Sequence, residues 1–151
     1  MKKIVTIGSA TKDIFITYQE AQMLHMCLNE GKRSFLILED GKKVEVEALE
    51  YHTGGGAVNS AIGFSRLGHE VSIVCKVGVD QEGAAIIKCL SDEHVDTCYV
   101  SHSQQIPTAS SFIIPTERGD RVVLVYRGAA TMLQHNEIPA DTLAKIDLLY
   151  I

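Results

Sequence analysis

The sequence predicts an α/β protein in which a parallel sheet is flanked by helices and carries a small antiparallel β lid. Short β-branched runs ending in glycine, "KKIVTIG" and "EVSIVCKVG", alternate with segments of helical period. Two further pairs of β-runs, each around a turn-forming dipeptide, interrupt that alternation as hairpins. The 151 residues are 46% hydrophobic and 22% charged, enough apolar chain to bury a core.

Residues 2–8 form the first buried strand, and residues 13–18 extend the β-signal beyond it. Residues 20–31 fit a short helix or an irregular insert. Residues 34–49 read as a hairpin around Asp40-Gly41, with polar and apolar residues alternating from Lys43 to Leu49. Three glycines then open a helix that Gly68 stops. A buried strand over residues 70–78 leads into a second helix over residues 80–94, with Asp80 as its N-cap. After an outward run at residues 96–103, residues 110–126 form the second hairpin, turning at Arg118-Gly119-Asp120. Pro139 begins a short helix, and "DLLYI", Asp147 to Ile151, reads as a last buried strand.

A parallel sheet cannot absorb the two hairpins without breaking its connectivity, so they are expected to pair with each other as a lid. The lid segments are about residues 14–50 and 98–126. Ligands of open α/β sheets bind beyond the carboxyl ends of the strands, which is where both excursions leave and return.

The net charge is −5 and no Lys/Arg-rich run occurs, so nucleic acid is excluded as an expected partner. No apolar run is long enough to span a bilayer, and Gly8, Thr11, Lys12 and Asp13 break the amino-terminal apolar stretch that a signal peptide would need. No membrane partner is expected, and the cytoplasm is the expected compartment. The four cysteines, including Cys89 and Cys98 near His94, show no C-x-x-C spacing; they read as reduced thiols, and no metal site is expected.

The stretch "GGGAVNSAIGFSRLG" removes side chains at a helix entrance and then places Asn59 on the first turn. Glycines let a ligand approach the main chain, and an Asn offers both a donor and an acceptor. Asp13, just beyond the first strand, can accept from two adjacent hydroxyls at once. One carboxylate, one amide and exposed backbone describe a site for a neutral polyol. The P-loop pattern and the dinucleotide pattern G-x-G-x-x-G are both missing after the first strand, where "GSATKD" stands.

These residues carry a specific resemblance. "GGGAVNSA", then six residues to Gly68 and nine more to Gly78, resembles the amino-terminal signature of the ribokinase-like (PfkB) carbohydrate kinases. "IGSATKDIF" is similar to that family's opening, "VGVDQEG" to its G-x-D-x-x-G step, and "YRGAA" to the Gly-Ala turn after its lid. The resemblance covers essentially the whole chain and implies a ribokinase-like fold.

The resemblance also implies ATP-dependent phosphorylation of a hydroxymethyl group on a sugar or nucleoside, with ATP and Mg²⁺ as cofactors. Carried over by position, Asp13 would hold sugar hydroxyls beside Thr11, the backbone of Gly55 and Gly56 would border the sugar, and Asn59 would bind a further hydroxyl. Thr108 would cover the substrate, and Arg127 would meet a carboxylate or phosphate on it. The family often has Asn where Thr11 stands, and ribokinases have Lys at the Gly56 position, so the resemblance does not extend to a preference for ribose.

The family's Asp base, its G-A-G-D-like anion hole, its N-x-x-E motif and its nucleotide loops belong to a second half that does not occur within residues 1–151. No catalytic residue is therefore assigned within this chain, and the base is expected beyond Ile151. The chain is expected to be the amino-terminal part of a kinase domain, inactive alone, with no cofactor held by this part. The alternative is a non-catalytic sugar-binding or lid-mediated interaction module. Pairing of two chains through the lid sheet is a further expectation, with Phe35, Ile37, Phe112 and Ile114 on the shared surface.

Overall fold

The computed structural model describes residues 1–18, 22–29, 31–116 and 119–151. Residues Glu20, Glu30 and Arg118, which fall within the insert and the second turn read above, lie outside the described residues.

Strand β1 (Lys3–Ile7) runs into β2 (Thr11–Thr17), followed by β3 (Gln22–Leu28), β4 (Gly31–Ile37) and β5 (Ala48–Gly54). Helix α1 (Gly56–Arg66), β6 (Glu70–Gly78), α2 (Gln81–Asp92) and β7 (Val100–Ser103) come next. The chain continues through β8 (Ala109–Pro115), β9 (Arg121–Tyr126), two 3-10 turns, the one-turn helix α3 (Ala140–Leu143) and β10 (Leu148–Tyr150).

Two four-stranded sheets organise the molecule. The first has the order β10-β1-β6-β7 and is parallel throughout. One face is dry: Val71, Ile73, Cys75 and Val77 of β6 pack with Ala57, Val58 and Ala61 of α1 and with Ile86 and Leu90 of α2. Residues spaced by two on the strand and by three or four on the helices present single apolar faces, as the two periods require. Thr6 is fully buried in this core because its hydroxyl donates to the Ala57 carbonyl at 3.1 Å.

The last strand departs from its expectation in length and in burial. β10 covers only Leu148–Tyr150, and all three residues are exposed. Ile151, expected inside a buried strand, lies outside β10 and is 85% exposed. Within residues 1–151, β10 pairs through Leu148, Leu149 and Tyr150 with β1 alone. Phe64 of α1 reaches only as far as the Tyr150 ring, edge-on at 5.9 Å, so Ile151 has no covering layer among the described residues.

The second sheet has the order β5-β2-β8-β9. Its outer pairs are antiparallel and its central pair, β2 with β8, is parallel. The second hairpin forms as expected, but the first does not. Lys42 N–H does close a turn onto the Glu39 carbonyl at Asp40-Gly41, yet β4 pairs backward with β3 as a separate ribbon, Leu24 opposite Phe35, and not across that turn. The insert is thus largely strand.

The two excursions join through β2 and β8, Thr11 opposite Ala109 and Phe15 opposite Ile113, and not through residues 34–49. Val100–Ser103, inside the segment expected in the lid, instead pairs with β6 as the fourth strand of the parallel sheet. The lid sheet begins on that side at Ala109.

Candidate functional site

The two sheets meet where β1 passes into β2 and β5 passes into α1. Thr11 pairs with Gly54, and its hydroxyl donates to Asp13 Oδ1 at 3.0 Å. Because residues two apart share a face, Thr11 and Asp13 both project from the face of the lid that carries Gly54. The carboxylate can lie there only because residue 54 has no side chain: a Cβ at Gly54 would stand 2.0 Å from Asp13 Oδ2.

Gly55 has a different requirement. It caps α1 with φ +103°, and a Cβ there would come within 2.3 Å of the Ser9 carbonyl oxygen. Gly56 donates its N–H to Ser9 Oγ at 3.1 Å, so this N–H is spent within the protein. Space around Gly56 is otherwise open. One turn into α1, Asn59 is exposed, its N–H bonded to the Gly55 carbonyl at 3.0 Å. Thr11, Asp13, Gly55 and Gly56 are contiguous, and Asn59 stands one helical turn above them.

Thr108 is not part of this group. It is 2% exposed, and its hydroxyl donates to Asp80 Oδ1 at 2.6 Å while accepting from the Gly78 N–H at 2.9 Å. Its own N–H donates to Asp80 Oδ2 at 2.7 Å. With its one hydroxyl proton given to Asp80 and its side chain buried, Thr108 ties the start of β8 to the start of α2.

The same tie explains "VGVDQEG". Asp80 caps α2 by accepting from the Gly83 N–H at 2.8 Å. A Cβ at Gly78 would stand 2.6 Å from Asp80 Oδ2, and one at Gly83 would stand 2.4 Å from the Gly78 carbonyl. Partial burial pulls the Asp80 carboxyl up, but hydrogen bonds from Thr108 and Gly83 outweigh it and hold the group below the ordinary carboxylate range.

Arg127 is exposed where β9 ends, and no carboxylate pairs with it among the described residues. The neighbouring Gly128 packs against the Pro107 carbonyl, which sets Arg127 at the base of the lid. On the opposite face from Asp13, Lys12 reaches Glu82 of α2 at 3.0 Å and lies 4.9 Å from the centre of the Tyr51 ring. That pair props the lid from behind.

The register adds two residues that sequence reasoning missed. His52 of β5 and Ser111 of β8 both stand directly opposite Asp13, so the three share one row across one face. Only the pairing reveals them.

A profile of the pfkB family carbohydrate kinases matches residues 1–151. The chain belongs to the PfkB family. Among its relatives, the ribokinase of Staphylococcus aureus (strain COL) is 26% identical over 150 residues, covering 97% of this chain and 44% of the relative. The ribokinase of Bacillus subtilis (strain 168) is 30% identical over 129 residues, covering 85% of this chain and 38% of the relative. This PfkB chain therefore spans less than half the length of these two curated relatives.

Solved structures agree on the fold. The ribokinase of Thermotoga maritima superposes with a TM-score of 0.77 at 18% identity, over 99% of this chain and 44% of that one. The ribokinase of Giardia lamblia gives 0.78 at 21% identity, over 99% and 44%. The parallel sheet with its attached second sheet is the ribokinase-like arrangement. Among the described residues no helix is long and apolar enough to cross a membrane.

Proposed function

We propose that the protein transfers a phosphoryl group from ATP to a hydroxymethyl group of a sugar or nucleoside, with residues 1–151 supplying the substrate-binding and lid elements. The observation that carries this reading is the Asp13 carboxylate lodged over side-chain-free Gly54, beside Thr11 and below Asn59. An ionised carboxylate offers two oxygens to a pair of neighbouring hydroxyls, and the Thr11 hydroxyl fixes which way it faces.

ATP supplies the phosphoryl group, and Mg²⁺ neutralises charge as it moves. Among the described residues no three His, Cys, Asp or Glu side chains converge on a metal position. This reading assigns the nucleotide, its metal and the catalytic base to a part of a longer protein outside residues 1–151. What this half does is bind and orient.

Gly56, with open space around it, and Thr11 give no support for a preference for ribose. Arg127, with no carboxylate paired to it among the described residues, favours acidic sugars among the candidates. The test is sugar-dependent ADP release by the full-length protein over D-ribose, D-fructose, sugar acids and nucleosides. Turnover of one class, lost in D13N and with KM raised in R127A only for acidic members, is the expected result. A full-length protein that binds a sugar without turnover would leave the non-catalytic module.

We infer also that two chains pair through the lid. Tyr51, Leu124 and Val125 are each more than half exposed on that sheet and Phe112 about two-fifths, while Phe35 and Ile37, also about two-fifths exposed, lie on β4 of the separate ribbon. Ile114, expected on this surface, is 8% exposed and belongs to the local core. Sedimentation giving only monomer at every concentration would refute the pairing.

A further inference from the structure

The start of α2 grips two neighbouring strands of the lid. Asp80, its N-cap, accepts from the Thr108 N–H at 2.7 Å and from the Thr108 hydroxyl at 2.6 Å, just ahead of β8. Two residues on, Glu82 accepts from the Lys12 ammonium of β2 at 3.0 Å. β2 and β8 run side by side, Lys12 opposite Ser110, so one end of a helix from the parallel-sheet layer is bonded to both central strands of the second sheet.

The two ties differ in kind. Thr108 is 2% exposed, and its hydroxyl also accepts from the Gly78 N–H at 2.9 Å, so this anchor is shut off from water and involves the main chain of both layers. The Lys12 and Glu82 side chains are 27% and 36% exposed. Water competes for such a pair, which makes it weak enough to open while the buried anchor holds. A second attraction backs it. Lys12 stands opposite Thr53 and reaches toward Tyr51 two residues away, its ammonium 4.9 Å from the centre of that ring, so one charge joins β2, β5 and α2. The hydrogen bond from Lys12 holds the Glu82 carboxyl below the ordinary carboxylate range, and both partners are charged at neutral pH.

Lys12 precedes Asp13 in β2, and the two project from opposite faces of the lid. A change in the angle of β2 about the Thr108 anchor moves them together. Holding Lys12 from behind therefore sets where the Asp13 carboxylate stands over Gly54.

We propose that Lys12 is a positioning residue: its contacts with Glu82 and Tyr51 latch the lid to α2 and fix the angle at which Asp13 meets the substrate. The substrate's part in this rests on the kinase reading above; the latch itself does not. Apparent affinity falls with the fraction of molecules whose lid stands at the right angle, while the chemical step is intact once the sugar is seated.

The test uses the full-length protein and its K12M, K12R, E82Q, K12M/E82Q and D13N variants. They are read by hydrogen–deuterium exchange without sugar and by ADP release with D-ribose, D-fructose, sugar acids and nucleosides. K12M and E82Q are each expected to speed exchange in β2 and β5 but not in β6, and to raise KM about two- to fivefold with kcat unchanged. The double variant is no worse than K12M, and K12R, which keeps the charge, stays near the parent. Additive losses, unchanged lid exchange in K12M, or a fall in kcat with KM unchanged overturn the proposal. No turnover of any sugar, or a D13N protein as active as the parent, removes the kinase reading and the role of Lys12 in placing Asp13. The exchange result then still decides the latch: faster lid exchange in K12M upholds it, and unchanged exchange removes it.

Discussion

Gly54 and Gly55 are adjacent in sequence, yet alanine at each should produce opposite defects. In G54A the new Cβ would stand 2.0 Å from Asp13 Oδ2 and 2.6 Å from Cγ, atoms at the far end of a side chain that can rotate away. The fold loses little, about 1 kcal/mol for the displaced rotamer. The site loses its oriented carboxylate, and hydrogen bonds to a charged group are worth about 1.5–3 kcal/mol, or roughly 10- to 150-fold in affinity. In G55A the Cβ would stand 2.3 Å from the Ser9 carbonyl oxygen and 2.7 Å from its carbon, both main chain, at φ +103°. Backbone strain of about 1–3 kcal/mol adds to overpacking of about 1–3 kcal/mol. Urea denaturation and sugar titration of the full-length variants separate the two effects: G54A should be folded and weak-binding, G55A unfolded at much lower urea. A G54A protein that binds sugar normally, or a G55A protein as stable as the parent, would refute this account of the glycine run.

Thr108→Val, which keeps the shape but removes the hydroxyl, leaves the Gly78 N–H unpaired and should cost about 2–4 kcal/mol in urea denaturation, with Thr108→Ser near the parent. Asp80 is held below its unfolded value of about 3.9, so its contribution to stability is present above that pH and is lost as pH falls through the folded value. D80N should flatten the acid side of a plot of urea midpoint against pH. Burial pushes the Cys75 thiol up to about 12, while Cys27 and Cys98 are exposed. Burial and the hydrogen bond to Asp96 also raise the Cys98 thiol. A thiol reagent at pH 8 should label Cys27 first, Cys98 more slowly and Cys75 only on unfolding, as peptide mass mapping will report.

Elements whose signal lies within their own residues were legible in the sequence. The β-branched runs of β1 and β6, the amphipathic faces of α1 and α2, the Asp80 cap and the second hairpin need no distant information. The first hairpin failed because pairing is a tertiary choice. Residues 43–49 alternate cleanly, but alternation names no partner, and β3 ("QMLHMCL") has no β-branched residue to announce a strand. Burial is a tertiary property too. The apolar run that ends in Ile151 does mark a strand, but an apolar run cannot say whether layers cover it, and here β10 has one neighbour and Ile151 stands clear. The site divides in the same way. Asp13, the glycines and Asn59 are marked by local pattern and resemblance. Thr108 was misread because its partner Asp80 is 28 residues away, and Ser111 was invisible until β2 and β8 were known to run side by side.

The placement of β1 has a consequence for synthesis. Its neighbours are β6 on one edge and β10 on the other, and the contact of Lys3 with Asp147 spans 144 residues. At about 5–20 residues per second, roughly 7–30 s separate the appearance of the first strand from that of the one that covers its outer edge. During that interval the growing chain carries an unpaired β-branched edge, open to mispairing with any extended segment nearby. A pause placed between β6 and β10 would lengthen the period in which this edge stays open.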